Sequence, residues 1–202
     1  MRPAAILLAA LVSSGCVSTY RDFPAARVGQ PPAARKEGRL RYYLDRFPIL
    51  PFAGGKDALH DVFRDWTPFG ESERVFEKGP PLEGLFVVVQ AEWKPLTGSA
   101  AVFGYLSLAS LTLLPAWTGR EGYLVHYHLF RDGEKVKTFS YEITRKALLW
   151  APAVLFTWAN LLTYSEYQAF EATAQQFFRD AFLINGGSGS AAPRAARAAG
   201  PG

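Results

Sequence analysis

The amino-acid sequence predicts an α+β domain: a small antiparallel sheet with a central hairpin, and two helices packed on one face of that sheet. Three features lead to this prediction. Residues 85–93 (Leu-Phe-Val-Val-Val-Gln-Ala-Glu-Trp) form a β-branched run typical of a strand. Asp132-Gly133 supplies the positive φ angles that a tight hairpin turn requires. An amphipathic pattern begins at Ser165 and predicts a helix that covers the sheet.

The first elements of the domain precede the strand at 85–93. Residues 40–45 (Leu-Arg-Tyr-Tyr-Leu-Asp) predict a short strand. Asp57 is a candidate cap for a helix over 58–66. In that helix the apolar side chains recur at helical spacing, at Leu59, Val62, Phe63 and Trp66.

The hairpin and the last helix complete the domain. The strands of the hairpin are predicted at 123–131 and 134–144. Ser165 and Gln168 form a capping box at the start of the last helix, and Asn185-Gly186 ends it. The apolar face of this helix consists of Tyr167, Phe170, Ala174, Phe177, Phe178 and Ala181.

The N-terminus carries an export signal. Residues 1–15 combine a charged start, an apolar run and small residues, the parts of a secretory signal peptide. Ser13-Ser14-Gly15 then precede Cys16, the chain's single cysteine, and this arrangement resembles the lipobox of bacterial lipoproteins. The resemblance implies cleavage before Cys16, a diacylglycerol on its sulfur and a further acyl chain, such as palmitate, on its new amino group. Because Val17 follows where inner-membrane lipoproteins often carry Asp, it also implies the outer membrane.

The lipobox sets the domain organisation. We expect a lipoprotein signal peptide at 1–15, a lipidated tether at 16–38, an α+β periplasmic domain at 39–185 and a disordered tail at 186–202. The net charge of +4 arises outside the domain, since residues 40–185 carry 14 basic and 16 acidic side chains. Nucleic-acid binding requires a clustered basic face, so no nucleic-acid partner is predicted.

Two long segments carry no acidic or basic side chain, residues 95–119 and residues 147–165. Three interpretations remain open. In the first, both segments belong to the core, which is filled by Leu106, Leu108, Leu111, Leu113 and Leu114. In the second, residues of about 97–116 and 147–164 span the inner membrane, and the chain is a subunit of a larger envelope complex. In the third, the segments form an apolar patch on a membrane, with aromatic rings at the level of the headgroups at Trp117, Trp150 and Trp158.

The histidines do not predict a metal site. His126 and His128 lie two residues apart on a predicted strand and share a face, as in some zinc sites. A zinc site needs a third protein ligand, and His60 belongs to a different element. We therefore expect His126 and His128 on a polar, cross-strand-packed surface near Lys135 and Lys137.

No other motif predicts catalysis. Glu71 and Glu73 are expected in a polar loop, where nothing would raise the pKa of a carboxyl group. Gly54-Gly55-Lys56 lacks the spacing of a phosphate-binding loop. Lipidation would consume the thiol of Cys16, the one cysteine nucleophile. The sequence thus predicts a protein that is not an enzyme, with no cofactor and no metal.

A second resemblance points to the same cellular location. Residues 111–117 (Leu-Thr-Leu-Leu-Pro-Ala-Trp), the hairpin and the second uncharged segment together resemble a loose group of bacterial envelope lipoproteins. This resemblance implies a location and brings no catalytic residue. Our hypothesis is a non-enzymatic lipoprotein held in the membrane through Cys16, an assembly or interaction factor facing the periplasm. Its sheet edge or aromatic surface would bind an envelope protein that the sequence does not name.

Overall fold

The computed structural model describes residues 16–24, 36–47, 54–76, 79 and 83–187. The predicted signal peptide and the tail after residue 187 lie outside the described residues. The elements in chain order are β1 (Cys16–Arg21), β2 (Lys36–Leu44), α1 (Gly55–Asp65), β3 (Phe69–Arg74), β4 (Leu85–Trp93), α2 (Gly98–Ala109), β5 (Ala116–Arg131), β6 (Glu134–Leu149), a 3-10 helix (Ala151–Leu162) and α3 (Glu166–Gly187).

The strands form one mixed sheet of six in the order β1-β6-β5-β4-β2-β3. β2 is parallel to both of its neighbours, β3 and β4, and the other pairs are antiparallel. The predicted fold, a small antiparallel sheet with a central hairpin and two helices, is therefore wrong. A parallel pair is joined by a long crossover, so local sequence patterns do not reveal which strands it brings together.

Two strands lie where the sequence predicts none. β1 occupies the beginning of the expected tether, so residues Cys16–Arg21 belong to the sheet. β3 contains Glu71 and Glu73, for which a polar loop was the expectation, and that expectation is wrong. Neither strand has a long apolar run: each owes its place to backbone pairing with a neighbour.

The predicted hairpin is confirmed, and its strands are longer than predicted. Asp132 and Gly133 adopt φ angles of 50° and 82°, the left-handed pair that a tight hairpin turn uses. The Asp132 side chain accepts a hydrogen bond from the Gly84 amide at 2.8 Å, and the Asp132 amide donates to the Gly84 carbonyl at 2.9 Å. The turn is thus fixed to the start of β4. Each hairpin strand has 16 residues.

The core lies between the sheet and two helices, α1 and α3. The inward side chains of β5 alternate along the strand and are buried, at Tyr123, Val125, Tyr127 and Leu129. The ring of Phe177 on α3 stacks on Tyr127 with the ring centroids 4.7 Å apart. Phe63 on α1 contacts Phe178 with the ring centroids 4.9 Å apart.

The helix boundaries confirm one predicted cap and overturn the other. The side-chain oxygen Oε1 of Gln168 accepts a hydrogen bond from the backbone amide of Ser165 at 2.9 Å. The backbone amide of Gln168 donates to Ser165 Oγ at 3.2 Å, which confirms the capping box of α3. α1 begins after Gly54, which has a φ angle of 75°, and no side chain caps it. The prediction of Asp57 as the cap is therefore wrong.

The hairpin extends beyond β4 at one end of the sheet. β4 pairs with β5 only from Tyr123 onward, so residues 116–122 continue past it for about 23 Å. Gly122 adopts a φ angle of 143°, and a Cβ there would lie 2.0 Å from the Ile143 carbonyl oxygen. A glycine is therefore required where the paired strands approach this closely. β1 pairs with the same part of β6, from Cys16 opposite Leu149 to Arg21 opposite Thr144.

Candidate functional site

Cys16 lies at the end of the sheet where both uncharged segments attach. The Cα partner of Cys16 is Leu149, which is also the partner of Ala116. Two strand spacings place Cys16 about 10 Å from Ala116. The first uncharged segment enters β5 at Ala116, and the second leaves β6 at Leu149. The predicted lipidation site therefore lies beside both segments.

Hydrogen bonds join the two segments to each other. The Ala151 amide, at the start of the 3-10 helix, donates to the Thr112 carbonyl at 2.8 Å. The indole nitrogen Nε1 of Trp150 donates to the Leu113 carbonyl at 3.1 Å. The loop after α2 and the start of the 3-10 helix thus form one unit.

The 3-10 helix also covers the edge of the sheet at β1. The Ser18 amide donates to Asn160 Oδ1 at 2.8 Å, and Thr163 Oγ1 donates to the Ser18 carbonyl at 3.0 Å. The Tyr20 amide donates to the Tyr164 carbonyl at 3.2 Å. These bonds satisfy backbone groups that an open edge strand would present to other chains. The β1 edge is therefore occupied by the chain itself.

Large apolar side chains project from both segments into the surroundings. We call them the apolar surface, and they are exposed by between 48% and 86%: Val102, Phe103, Tyr105, Leu106, Leu108, Leu111, Leu113, Leu114, Trp117, Leu155, Phe156, Trp158, Leu161, Leu162 and Tyr164. The buried positions of the same segments are small or polar, at Ala100, Ser107, Thr112, Ala116 and Ala153. The interpretation in which five leucines of the first segment fill the core is therefore wrong.

Two of the three tryptophans named in the sequence analysis belong to the apolar surface. Trp117 and Trp158 are exposed by 62% and 57%. Trp150 is half-buried and its indole is bonded to the loop after α2. The segments that carry these residues have no acidic or basic side chain between Pro95 and Gly119 or between Ala147 and Ser165.

None of the helices in the described part of the chain combines the length and the hydropathy that crossing a membrane takes.

The histidine pair lies on the expected polar face of the sheet. His126 Nδ1 is 2.8 Å from Ser140 Oγ, and His128 Nδ1 is 2.9 Å from Thr138 Oγ1. His128 Nε2 is 3.2 Å from Gln90 Oε1. Each histidine therefore has a cross-strand partner, which confirms the polar, cross-strand-packed surface.

The protein environment shifts the pKa of one histidine. Burial lowers the pKa of His128 below its usual value, and the positive charges of Lys135 and His126 lower it further. His60 lies on α1 with Nδ1 at 2.5 Å from Tyr42 Oη, so the three histidines do not converge. Within residues 16–24, 36–47, 54–76 and 83–187, no three His, Cys, Asp or Glu side chains are grouped to hold a metal ion.

The remaining predicted carboxylates form surface ion pairs. On the β3 side of the sheet, Arg39 Nη2 is 3.2 Å from Glu71 Oε1 and 3.3 Å from Glu73 Oε2. Arg41 Nε is 3.5 Å from the same Glu73 oxygen. Exposed pairs of this kind contribute little to stability, and they place the two carboxylates against cations rather than in a cleft.

The structure also contains a buried carboxyl group that no sequence pattern predicts. Glu166, at the start of α3, is only 6% exposed, and its Oε2 accepts hydrogen bonds from Tyr20 Oη and Tyr123 Oη, both at 2.8 Å. Burial, followed by the negative charge of Glu166, raises the pKa of both tyrosines far above the usual range. These bonds tie β1, β5 and α3 together and so fix the strand that begins at Cys16. In sequence, an acidic residue in a first helical turn is ordinary, and only its burial distinguishes this one.

Comparison with known proteins finds only distant likeness. No protein-family model matches the sequence, and no curated protein matches it. The chain is similar to the PelC dodecamer from Paraburkholderia phytofirmans, with a TM-score of 0.32, 11% identity, and coverage of 79% of this chain and 95% of that one. It is also similar to a leucine-to-methionine variant of that dodecamer, with a TM-score of 0.27, 13% identity, and coverage of 76% and 98%. A likeness at this level carries no conclusion about this chain.

Proposed function

We propose that the chain is a non-enzymatic lipoprotein of the bacterial envelope, anchored through lipid on Cys16 and acting as an assembly or interaction factor. We place it at the periplasmic face of the outer membrane. The observation that carries the proposal is that Cys16, directly after the lipobox-like Ser13-Ser14-Gly15, lies in β1 and pairs with Leu149 at the end of the sheet. Cleavage before Cys16 would therefore retain every residue that the structure assigns to a strand.

The position of Cys16 gives the anchor a mechanical role. A lipid on the first residue of an edge strand would hold the sheet end directly at the membrane, with no flexible tether between them. Each buried methylene contributes about 0.8 kcal/mol, so two or three acyl chains anchor a protein durably. Two sets of hydrogen bonds keep β1 in the sheet. One set joins Tyr20 and Tyr123 to Glu166, and the other joins Asn160 and Thr163 to Ser18. We call the first set the Glu166 cluster. The anchor would thus fix the orientation of the whole domain.

A binding role suits the surface of the domain better than a catalytic one. The side chains considered for catalysis lie apart, each with a partner on a neighbouring strand: His126 with Ser140, His128 with Thr138, and Glu71 with Arg39. A large exposed apolar patch is typical of proteins that contact another molecule or a membrane. The envelope protein that would be the partner is to be identified by in vivo crosslinking. A chain that yields no crosslinked envelope protein would contradict the interaction role.

Fatty-acid labelling tests the anchor. In a bacterial host we expect an alkyne-tagged palmitate to label the protein, and globomycin to cause accumulation of the unprocessed form. Cys16→Ser abolishes the label because it removes the acylated sulfur, whereas the matched control Ser14→Ala keeps a small residue before the cleavage site and retains it. An unlabelled wild-type chain, or a label that survives Cys16→Ser, would contradict the proposal.

The membrane assignment has its own test. Val17 occupies the position where Asp retains lipoproteins at the inner membrane, according to the lipobox resemblance. We expect the wild-type chain in the outer-membrane fraction of a sucrose gradient and Val17→Asp in the inner-membrane fraction. Val17→Thr, which keeps a β-branched side chain in β1, serves as the control and is expected to stay with the wild type. A wild-type chain in the inner-membrane fraction would overturn the assignment.

A further inference from the structure

We propose that the apolar surface lies in the boundary between headgroups and hydrocarbon of the membrane that the Cys16 lipid enters. The domain is then held by protein side chains as well as by acyl chains. This inference rests on the proposed function, because the orientation follows from lipid on Cys16.

The residues that helix α2 buries are small, and its large apolar residues are exposed. The helix buries Ala100 and Ser107 and exposes Phe103, Tyr105 and Leu108 by 53%, 75% and 60%. A helix that is apolar on all sides belongs either in a core or in lipid. The described part of the chain therefore leaves each of these three large side chains more than half exposed.

The loop after α2 satisfies most of its backbone polar groups within the protein. The amides of residues 110–114 all donate hydrogen bonds within the protein: Ser110 to Leu106 O, Leu111 to Leu108 O, Thr112 to Ser107 O, Leu113 to Ser110 O and Leu114 to Ser110 Oγ. The carbonyls of Thr112 and Leu113 accept from Ala151 and Trp150. Irregular backbone is tolerated next to hydrocarbon only when its polar groups are satisfied by protein. The five amides of this loop and the carbonyls of Thr112 and Leu113 meet that condition, and the loop exposes three leucines.

Two residues of this loop adopt an unfavourable left-handed backbone conformation. Leu111 and Thr112 have φ angles of 52° and 64°, a left-handed conformation that is unfavourable for residues with a Cβ. The strained turn buries the polar side chain of Thr112, which is 2% exposed, and turns Leu111 outward, where it is 66% exposed. Strain that is kept at such a position is characteristic of functional sites.

The composition of the apolar surface favours a bilayer over a protein partner. Protein interfaces carry about one hydrogen bond per 100–200 Å² and a polar rim. The two segments have no acidic or basic side chain, and Asn160 and Thr163 already bond to Ser18. Thr97, Ser99 and Ser165 are exposed, and most of the other exposed residues of the two segments are aliphatic or aromatic. Trp117 and Trp158 contribute amphipathic rings, which favour the level of the headgroups.

The proposed anchor lies beside the attachment points of the apolar surface. Cys16, Leu149 and Ala116 are aligned across neighbouring strands, and the uncharged segments attach at Leu149 and Ala116. Acyl chains on Cys16 would enter the bilayer about 10 Å from the start of β5. A bilayer is therefore the occupant that the proposed anchor itself brings to this surface.

A single spin label measures the depth of the surface in the bilayer. Cys16 is the only cysteine and acylation consumes its thiol, so an introduced cysteine is the one reactive site. The lipidated protein is purified with Leu108→Cys or Leu161→Cys on the apolar surface, or with Val136→Cys at the hairpin end as the matched control. Val136 is an exposed apolar residue as well, at 47%. Each protein is labelled with a nitroxide and reconstituted into vesicles of phosphatidylethanolamine and phosphatidylglycerol.

Collision with oxygen and with a water-soluble nickel chelate gives the result. We expect labels at Leu108 and Leu161 to lose their collisions with nickel and to gain collisions with oxygen when vesicles are added, while the label at Val136 keeps its collisions with nickel. Labels on the apolar surface that stay accessible to nickel overturn the inference. Labels that are shielded from both reagents and show dipolar broadening also overturn it, in favour of a second copy of the chain.

Mass spectrometry of the N-terminal peptide from the same samples separates this inference from the proposed function. An acylated Cys16 together with labels accessible to nickel overturns the membrane contact and leaves the lipoprotein intact. A Cys16 that carries nitroxide in place of acyl chains overturns the lipid anchor, and the membrane contact is then measured on the same variants with Cys16→Ser.

Discussion

Helices α1 and α2 have nearly the same length, 11 and 12 residues, and opposite relations to the protein. α1 buries Leu59, Val62 and Phe63 against the sheet and α3, and it exposes charged side chains at its ends. α2 buries alanine and serine and exposes its aromatic and aliphatic side chains. The pattern of α1 is typical of a helix between a protein core and water. The pattern of α2 suits a helix between protein and the bilayer that we propose as its surroundings.

The same contrast separates the two ends of the sheet. The hairpin end has charged residues around its turn, Arg131, Asp132, Glu134 and Lys135. The end at Cys16 is surrounded by two segments without acidic or basic side chains. A domain that is polar at one end and apolar at the other has a preferred orientation at a membrane. Substitutions of single residues test this contrast.

The largest effect is expected from a matched pair of phenylalanines. Phe63→Ala in α1 removes a ring that packs on Tyr42 and Phe178, at centroid distances of 4.6 and 4.9 Å. We expect it to lower the free energy of unfolding by about 3–5 kcal/mol. Phe103→Ala in α2 removes a ring that is 53% exposed, and we expect a change within about 0.5 kcal/mol.

Denaturant unfolding followed by circular dichroism measures both values. The chain of residues 16–202 with Cys16→Ser is suitable, because it contains every described strand and helix and carries no lipid. Equal losses in the two variants would show that α2 packs within the protein as α1 does, and would remove the distinction between the helices.

A smaller effect is expected at the buried carboxyl group that holds β1. Tyr20→Phe or Tyr123→Phe leaves Glu166 with one hydrogen-bond donor instead of two. We expect each substitution to lower the free energy of unfolding by about 1–3 kcal/mol, the usual penalty for an unsatisfied buried polar group. Tyr105→Phe on the apolar surface is the matched control, because its side chain is 75% exposed, and no change is expected. If Tyr20→Phe were as neutral as Tyr105→Phe, the cluster would not fix β1.

The smallest effect concerns pH and the polar face of the sheet. The pKa of His128 is lowered in the folded state, so between that pKa and the ordinary value near 6.5 the unfolded chain binds more protons. The stabilising contribution is therefore present above pH 6.5 and is lost as the pH falls. We expect thermal unfolding to occur at a lower temperature at pH 5.5 than at pH 7.5, and His128→Gln to reduce this difference. An unchanged difference in the variant would assign the pH dependence to other groups.

Local signals in the sequence predicted the elements that are specified locally. The Asp132-Gly133 turn, the capping box of Ser165 and Gln168, and the strand at 85–93 are each encoded within a few residues, and the structure confirms them. The parallel pairs of β2, and the strands β1 and β3, depend on partners far away in the chain. β3 (Phe-Gly-Glu-Ser-Glu-Arg) has no alternating apolar pattern, so no local signal marks it as a strand.

The candidate site could be predicted only in part for a different reason. Absence of charge marked both segments, but apolar sequence alone does not distinguish a core from an exposed patch. One of the three open interpretations placed the five leucines of 106–114 in the core. The structure instead exposes these leucines and buries the small residues Ala100 and Ser107. Glu166 could not be recognised because its burial depends on Tyr20, which is 146 residues away. The lipidation of Cys16 stays a prediction.

We expect the end of the sheet at Cys16 to have its own affinity for a membrane, independent of the lipid. The most direct measurement is flotation of the chain of residues 16–202 with Cys16→Ser on vesicles of phosphatidylethanolamine and phosphatidylglycerol. A second chain also carries Leu108→Glu and Leu161→Glu, and circular dichroism verifies that both are folded. We expect the first chain to float with the vesicles and the second to remain at the bottom of the gradient. A folded first chain that remains at the bottom would contradict the account.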